Sequence, residues 1–175
     1  MNQILAQAAP NDTDQSQRIL TLRKPNPEDG AGVHALIERC KPLDTNSMYC
    51  NLLQCSHFRN TSVLAEEKGN LVGFISGYLL PEQPDTLFVW QVAVSEEARG
   101  LGLASRMLKE LVQRLAPGVR HLHTSITPGN EASWNTFRRL ARDLEAPLNE
   151  RVMFDKEQHF DSQHDTEMLV HIGPF

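Results

Sequence analysis

The stretch that most constrains this chain is residues 86–105, TLFVWQVAVSEEARGLGLAS. Its first nine residues are nearly all apolar and rich in β-branched and aromatic types, as expected of a strand buried on both faces. A polar turn leaves that strand. Beyond it, Leu103, Met107, Leu108, Leu111 and Leu115 recur at helical spacing. A helix N-terminus exposes unpaired N–H groups and about half a positive charge. Gly100, Gly102 and Ala104 keep the approach to those amides bare, so the main chain can close on an anion. Arg99 adds a cation and Ser105 a hydroxyl donor. The segment reads as a cradle for a diphosphate, against the plain alternative of a tight turn that merely opens a helix. The dinucleotide fingerprint does not fit, because Ser105 stands at its last glycine and Arg120 and His121 stand where an acidic residue is due. Nor does a nucleoside-triphosphate loop, which needs Gly-Lys-Ser/Thr.

Elsewhere, residues 19–23 alternate as a first strand. Asn26, Pro27, Glu28 and Asp29 read as a helix start ahead of Val33, Leu36, Ile37 and Cys40. Pro42 stops that helix, and residues 44–47 open a second, short one reaching about residue 55. Residues 62–66 and 71–80 are strand-like, joined by a Lys68-Gly69-Asn70 hairpin turn. Residues 81–85 (PEQPD) read as a loop, 121–125 as a strand, and Pro128-Gly129-Asn130 as the entry to a helix ending near residue 144. Late strands are predicted at 151–154 and 167–172. The order implies a mixed α/β or α+β domain over residues 19–175, a meander feeding a strand–helix–strand unit, behind a polar, disordered tail at 1–18.

Hydrophobic residues make up 40% of the 175, enough for an ordinary core. No run approaches the roughly 20 apolar residues that span a bilayer, and the first residues do not resemble a secretory leader. Cys40, Cys50 and Cys55 form no Cys-x-x-Cys pair, so reduced thiols in a cytoplasmic protein are expected, with no metal. The net charge of −5 speaks against a nucleic-acid partner and leaves room for a small cationic substrate, and the lack of a long apolar run speaks against a membrane one.

Residues 99–104 match the Arg/Gln-x-x-Gly-x-Gly/Ala signature of the GCN5-related N-acetyltransferases, and the order of elements around them is similar to that family's. The resemblance implies a mainly antiparallel central sheet flanked by helices and acetyl-coenzyme A as co-substrate. It implies pyrophosphate contacts from Arg99, Gly100, Gly102, Ala104 and Ser105, and main-chain contacts to the pantetheine arm from Val92 and Val94. Asn130 matches the Asn that opens the family's next helix, where it either contacts the coenzyme or caps the helix. The family's thiolate-protonating Tyr falls at Phe137, which has no hydroxyl. A narrower likeness, on residues 43–49 (LDTNSMY), 84–94 (PDTLFVWQVAV) and 127–137 (TPGNEASWNTF), is to members that acetylate the γ-amine of a small diamino acid. A homodimer is expected on the same ground.

Such an acceptor needs carboxylates around its ammonium groups and a cation or amides at its carboxylate. No acidic residue lies between Asp85 and Glu96, so the base must come from elsewhere. Asp44, Glu82, Asp85, Glu150 and Glu167 are the candidates, with Asp44 and Glu167 favoured as catalytic and substrate-binding groups. Tyr49 and Trp90 are candidate pocket walls, and His159 and His164 candidate partners of the substrate. Arg138, Arg139 and Arg142 read as a solvated helix face. Two other functions stay open: acetylation of a peptide N-terminus or lysine, and acetyl-coenzyme A binding without turnover.

Overall fold

The computed structural model describes residues 20–175. The expected tail at 1–18, and Ile19, lie outside the described residues. Seven strands form one sheet in the order β1-β2-β3-β4-β5-β7-β6. They are β1 (Leu20–Arg23), β2 (Val63–Glu67), β3 (Asn70–Leu80), β4 (Gln83–Val94), β5 (His121–Ile126), β6 (Leu148–Phe154) and β7 (Glu167–Ile172). The helices are α1 (Gly30–Arg39), α2 (Met48–Ser56), α3 (Leu103–Leu115), α4 (Glu131–Asp143) and the short α5 (Lys156–Phe160). All neighbouring strands are antiparallel except β4 and β5, which α3 connects in parallel. The expected mixed, mainly antiparallel sheet with flanking helices is therefore present.

One face of the sheet packs on α3 and α4. Leu103, Met107, Leu108 and Leu111 from α3 and Trp134, Phe137 and Leu140 from α4 meet Leu87, Val89, Leu122, Val170 and Ile172 there. Each of these buried side chains contributes roughly 1.5–3 kcal/mol relative to exposure. Val112 joins the buried stripe, while Leu115 at the helix end is only partly covered. On the other face, Val33, Leu36 and Ile37 of α1 and its C-cap Cys40 cover Leu64, Phe74 and Ala93. The α1 and α2 backbones approach closely at Gly30, where a Cβ would come within 2.5 Å of the Leu52 side chain.

Several elements differ from the sequence reading, β6 among them, which begins at Leu148 rather than residue 151. Residues 27–29 form a 3₁₀ turn ahead of α1, held by Asp29, whose carboxylate accepts the Asn26 N–H at 2.8 Å and pairs with Arg23 at 2.7 Å. Residues 83–85 are strand rather than loop, because the β3–β4 ladder continues to Leu80 opposite Gln83. A register irregularity beside that pair accommodates Pro84. The late helix α5 was not foreseen; the Asp155 side chain caps it by accepting from the Glu157 and Gln158 N–H groups.

Candidate functional site

The β4–β5 pair opens partway along. Thr86 to Val89 ladder with His121 to Thr124, and there the pairing stops. Ser125 and Ile126 continue only against β7, at Leu169 and Met168. On its other side β4 stays paired to β3, but the register shifts between Gln91 and Val89, leaving Trp90 as a bulge residue beside the opening. The Ser95 N–H donates to the Val72 carbonyl at 2.9 Å. Because antiparallel ladders alternate, residues 91, 93 and 95 direct their main-chain groups at β3, and Val92 and Val94 direct theirs into the gap. The Val94 carbonyl is met there by the Arg99 Nε at 3.2 Å and the Cys40 thiol at 3.3 Å.

The glycine turn lies at the end of that free edge. Gly100 and Gly102 have φ of +76° and +72°, and a Cβ built on either would meet nothing within 4 Å. The backbone there needs glycine, and the space above it is open. Gly102 is the N-cap of α3 and offers no side-chain cap. The first α3 amides, at Leu103, Ala104 and Ser105, therefore point outward with the positive end of the helix dipole. Arg99 is exposed beside them, its guanidinium turned back to β4. Asn130 is more remote in role: its side chain accepts the Ser133 N–H at 3.1 Å and caps α4. Phe137 is buried in the core under α4.

The acceptor candidates fall on the sheet face opposite α3. The Asp44 segment crosses β4 at Gln91, whose Nε2 donates to the Asp44 carbonyl at 2.8 Å, while the Asn46 amide donates to Gln91 Oε1 at 3.3 Å. Asp44 and Tyr49 are exposed. Trp90 is 46% exposed and stands edge-on to Tyr78, which also packs on Phe88 and Phe58. Glu167 begins β7 next to the end of β5, on the far wall of the gap, and its carboxylate is 3.9 Å from His164 Nε2. Asp44, Trp90 and Glu167 are thus all at the open end.

Other candidates are not brought there. Asp85, the third residue of β4, lies at the closed end, 4.0 Å from His121, and Glu82 sits in the adjoining hairpin turn. Glu150 is paired with core-facing Val170, so its side chain leaves on the α3–α4 face. His159 is engaged locally, its Nδ1 accepting the Asp155 N–H at 2.9 Å. Arg138 packs on the Trp134 ring, 5.1 Å from its centroid, on the outer surface of α4.

Sequence reasoning missed two features. Gln91 ties the overhanging segment to the strand; its signal was the one polar residue in an otherwise apolar run. His171 joins His121 and His123, with His121 Nδ1 and His171 Nε2 2.9 Å apart. Burial, then the neighbouring His171, Arg151 and His121 charges, lowers the His123 pKa; burial and His121 lower that of His171. Nothing local announces this cluster, because it needs β7 beside β5. Among the described residues no group of His, Cys, Asp and Glu is arranged to hold a metal.

A strand edge left free where β5 parts from β4, running to bare amides at a helix N-terminus, is an arrangement that can hold an extended ligand ending in a diphosphate. Residues 30–141 match the acetyltransferase (GNAT) family, and the chain belongs to it. More particularly, it is similar to proteins named L-2,4-diaminobutyric acid acetyltransferase. That of Methylotuvimicrobium alcaliphilum is 57% identical over 158 residues, covering 90% of this chain and 92% of that protein. That of Halomonas elongata is 50% identical, covering 89% and 82%. A solved structure of diaminobutyrate acetyltransferase EctA from Paenibacillus lautus, in complex with its substrate L-2,4-diaminobutyric acid and coenzyme A, is 38% identical with a TM-score of 0.85. The match covers 90% of this chain and 96% of that one.

Proposed function

We propose that residues 19–175 form one catalytic unit that transfers acetyl from acetyl-coenzyme A to the γ-amine of L-2,4-diaminobutyrate, giving N4-acetyl-L-2,4-diaminobutanoate for synthesis of the compatible solute ectoine. The observation that carries this reading is the continuity of the site. The free edge of β4 at Val92 and Val94 leads from the glycine cradle to Trp90, with the Asp44 segment tied to β4 at Gln91 and Glu167 at the start of β7 across the gap. The names of the relatives at 50–57% identity agree with it.

The open space over Gly100 and Gly102 fits a diphosphate, which the amides at residues 100–105, with Arg99 and the Ser105 hydroxyl, would hold. The main-chain groups of Val92 and Val94 would hold the amide-bearing arm as a strand edge holds a peptide. Asn130 contributes by fixing the start of α4. The thioester, when bound, supplies an acetyl carbonyl open to attack by nitrogen. Asp44 and Glu167 hold the two ammonium groups of the acceptor, and Tyr49, Trp90 and His164 shape and orient its site. An alkylammonium has a pKa near 10, so a proton must leave the γ-nitrogen before attack; the Asp44 or Glu167 carboxylate receives it, directly or through water. The new C–N bond forms as the C–S bond breaks, and the nitrogen's second proton leaves to water. Phe137 offers no proton, but a thiol pKa near 8.5 lets sulfur depart as the thiolate and be protonated by water.

The deciding experiment offers a panel of amines with acetyl-coenzyme A and measures thiol release. Diaminobutyrate is expected to exceed ornithine, lysine and peptides by a wide margin. A peptide that outperforms it replaces the small-diamine reading, and thiol release that no amine stimulates leaves only a binding module. A cytoplasmic homodimer with a role in osmoadaptation follows from the same reading. In support of the dimer, β6 is a sheet edge with Val152 51% and Phe154 42% exposed; sedimentation at micromolar concentration tests it.

A further inference from the structure

We propose that Arg151, with His123 beside it, forms the carboxylate end of the acceptor site and makes the enzyme prefer an α-amino acid over a plain diamine. The inference rests on the acceptor assignment above. Arg151 stands opposite Leu169 on β6, and Leu169 is the next residue after Glu167 on the same face of β7. Strand geometry puts the Arg151 and Glu167 Cα atoms roughly 8 Å apart. Both side chains share that face with His123 and Phe88, which are ladder partners, and Phe88 packs on Tyr78 next to Trp90. A cleft of about 280 Å³ opens on this face, lined by Gln83 from the β3–β4 hairpin and by Phe88, His123, Arg151 and Leu169; Glu167 and Trp90 lie beside that lining rather than in it.

Arg151 is solvent-exposed at the rim of this cleft, open to an anion from solution. Among the described residues no carboxylate lies within ion-pair distance of Arg151. Its neighbour Glu150 faces the other side of the sheet. The flat, five-donor guanidinium is the side chain best shaped to take a carboxylate with two hydrogen bonds. Asp44 and Glu167 by themselves attract cations and repel a carboxylate, so an acceptor carrying both charges needs a positive group on the opposite wall. An extended diaminobutyrate places its γ-nitrogen and carboxylate carbon roughly 5 Å apart, a length comparable with the roughly 8 Å between the Arg151 and Glu167 Cα atoms. Burial, then the neighbouring His171 and Arg151 charges, lowers the His123 pKa, and its imidazole carries an N–H that can donate to the same carboxylate.

The test compares diaminobutyrate with 1,3-diaminopropane, which has the same two amines and no carboxylate, in the parent enzyme, Arg151→Met and Arg151→Lys. Arg151→Met is expected to lower kcat/KM for diaminobutyrate roughly 10–100-fold, mainly through KM, while 1,3-diaminopropane turnover falls far less. Arg151→Lys should recover part of the lost preference. Coenzyme A affinity of each variant reports its folding. A parent-like preference ratio in Arg151→Met overturns this proposal alone. A parent enzyme that does not acetylate diaminobutyrate overturns the acceptor assignment, and this proposal with it.

Discussion

Gly102 offers the sharpest test of the cradle. It sits at φ +72° and ψ +14°, with open space where a side chain would project. Replacing it with alanine or valine has two separable effects. The first is conformational: a residue with a Cβ in the left-handed region costs about 1–2 kcal/mol, more for a β-branched one. In a domain of this size each kcal/mol lowers Tm by roughly 2–4 °C, so Gly102→Ala should melt roughly 2–8 °C lower. The second is at the site, where the new methyl occupies the space through which an anion reaches the first α3 amides. Losing one hydrogen bond to a charged phosphate costs about 1.5–3 kcal/mol, which weakens coenzyme A binding roughly 10–150-fold. Gly69 supplies the control. It has φ +80°, equally open space, and lies in the β2–β3 turn. Gly69→Ala should show the same loss of Tm with unchanged coenzyme affinity by titration calorimetry. If Gly102→Val binds coenzyme A as tightly as the parent, or if both glycine variants lose affinity equally, the amides of this turn do not grip the diphosphate.

Removing the Asp44 charge with Asp44→Asn should raise KM for diaminobutyrate about tenfold or more while coenzyme A affinity is preserved; parent-like kinetics exclude Asp44 from the site. His123 and His171 have lowered pKa values in the folded chain, so below about pH 6.5 the unfolded chain binds more protons and stability falls as the pH falls. The urea midpoint should therefore drop between pH 7.5 and 5.5, and less so in His171→Asn; an equal drop in both proteins refutes the assignment. Burial pushes the Cys55 thiol up to about 12 and raises Cys50 less far. Iodoacetamide at pH 8 should then modify half-buried Cys50 first and reach Cys55 only on unfolding, as read by peptide mass spectrometry.

Much of this protein was legible in its sequence because the relevant physics is local. The α3 stripe follows from helical periodicity, the β2–β3 turn from Lys68 and Gly69 at positive φ, and the cradle from glycines at a strand-to-helix junction. Long-range pairing decided the rest. The split at Val89, the bulge at Trp90 and the outward turn of Val92 and Val94 depend on where β5 leaves β4, which residues 86–94 alone do not encode. Asp85 and Glu167 look alike as acidic residues at strand ends. The register puts one at the closed end of the gap and the other at its open end. The insertion of β7 between β5 and β6 gathers His171 with His123 and sets Arg151 on the same sheet face as Glu167. Alternation within a strand names the residues that share a face; only the pairing of strands distant in sequence decides which faces meet.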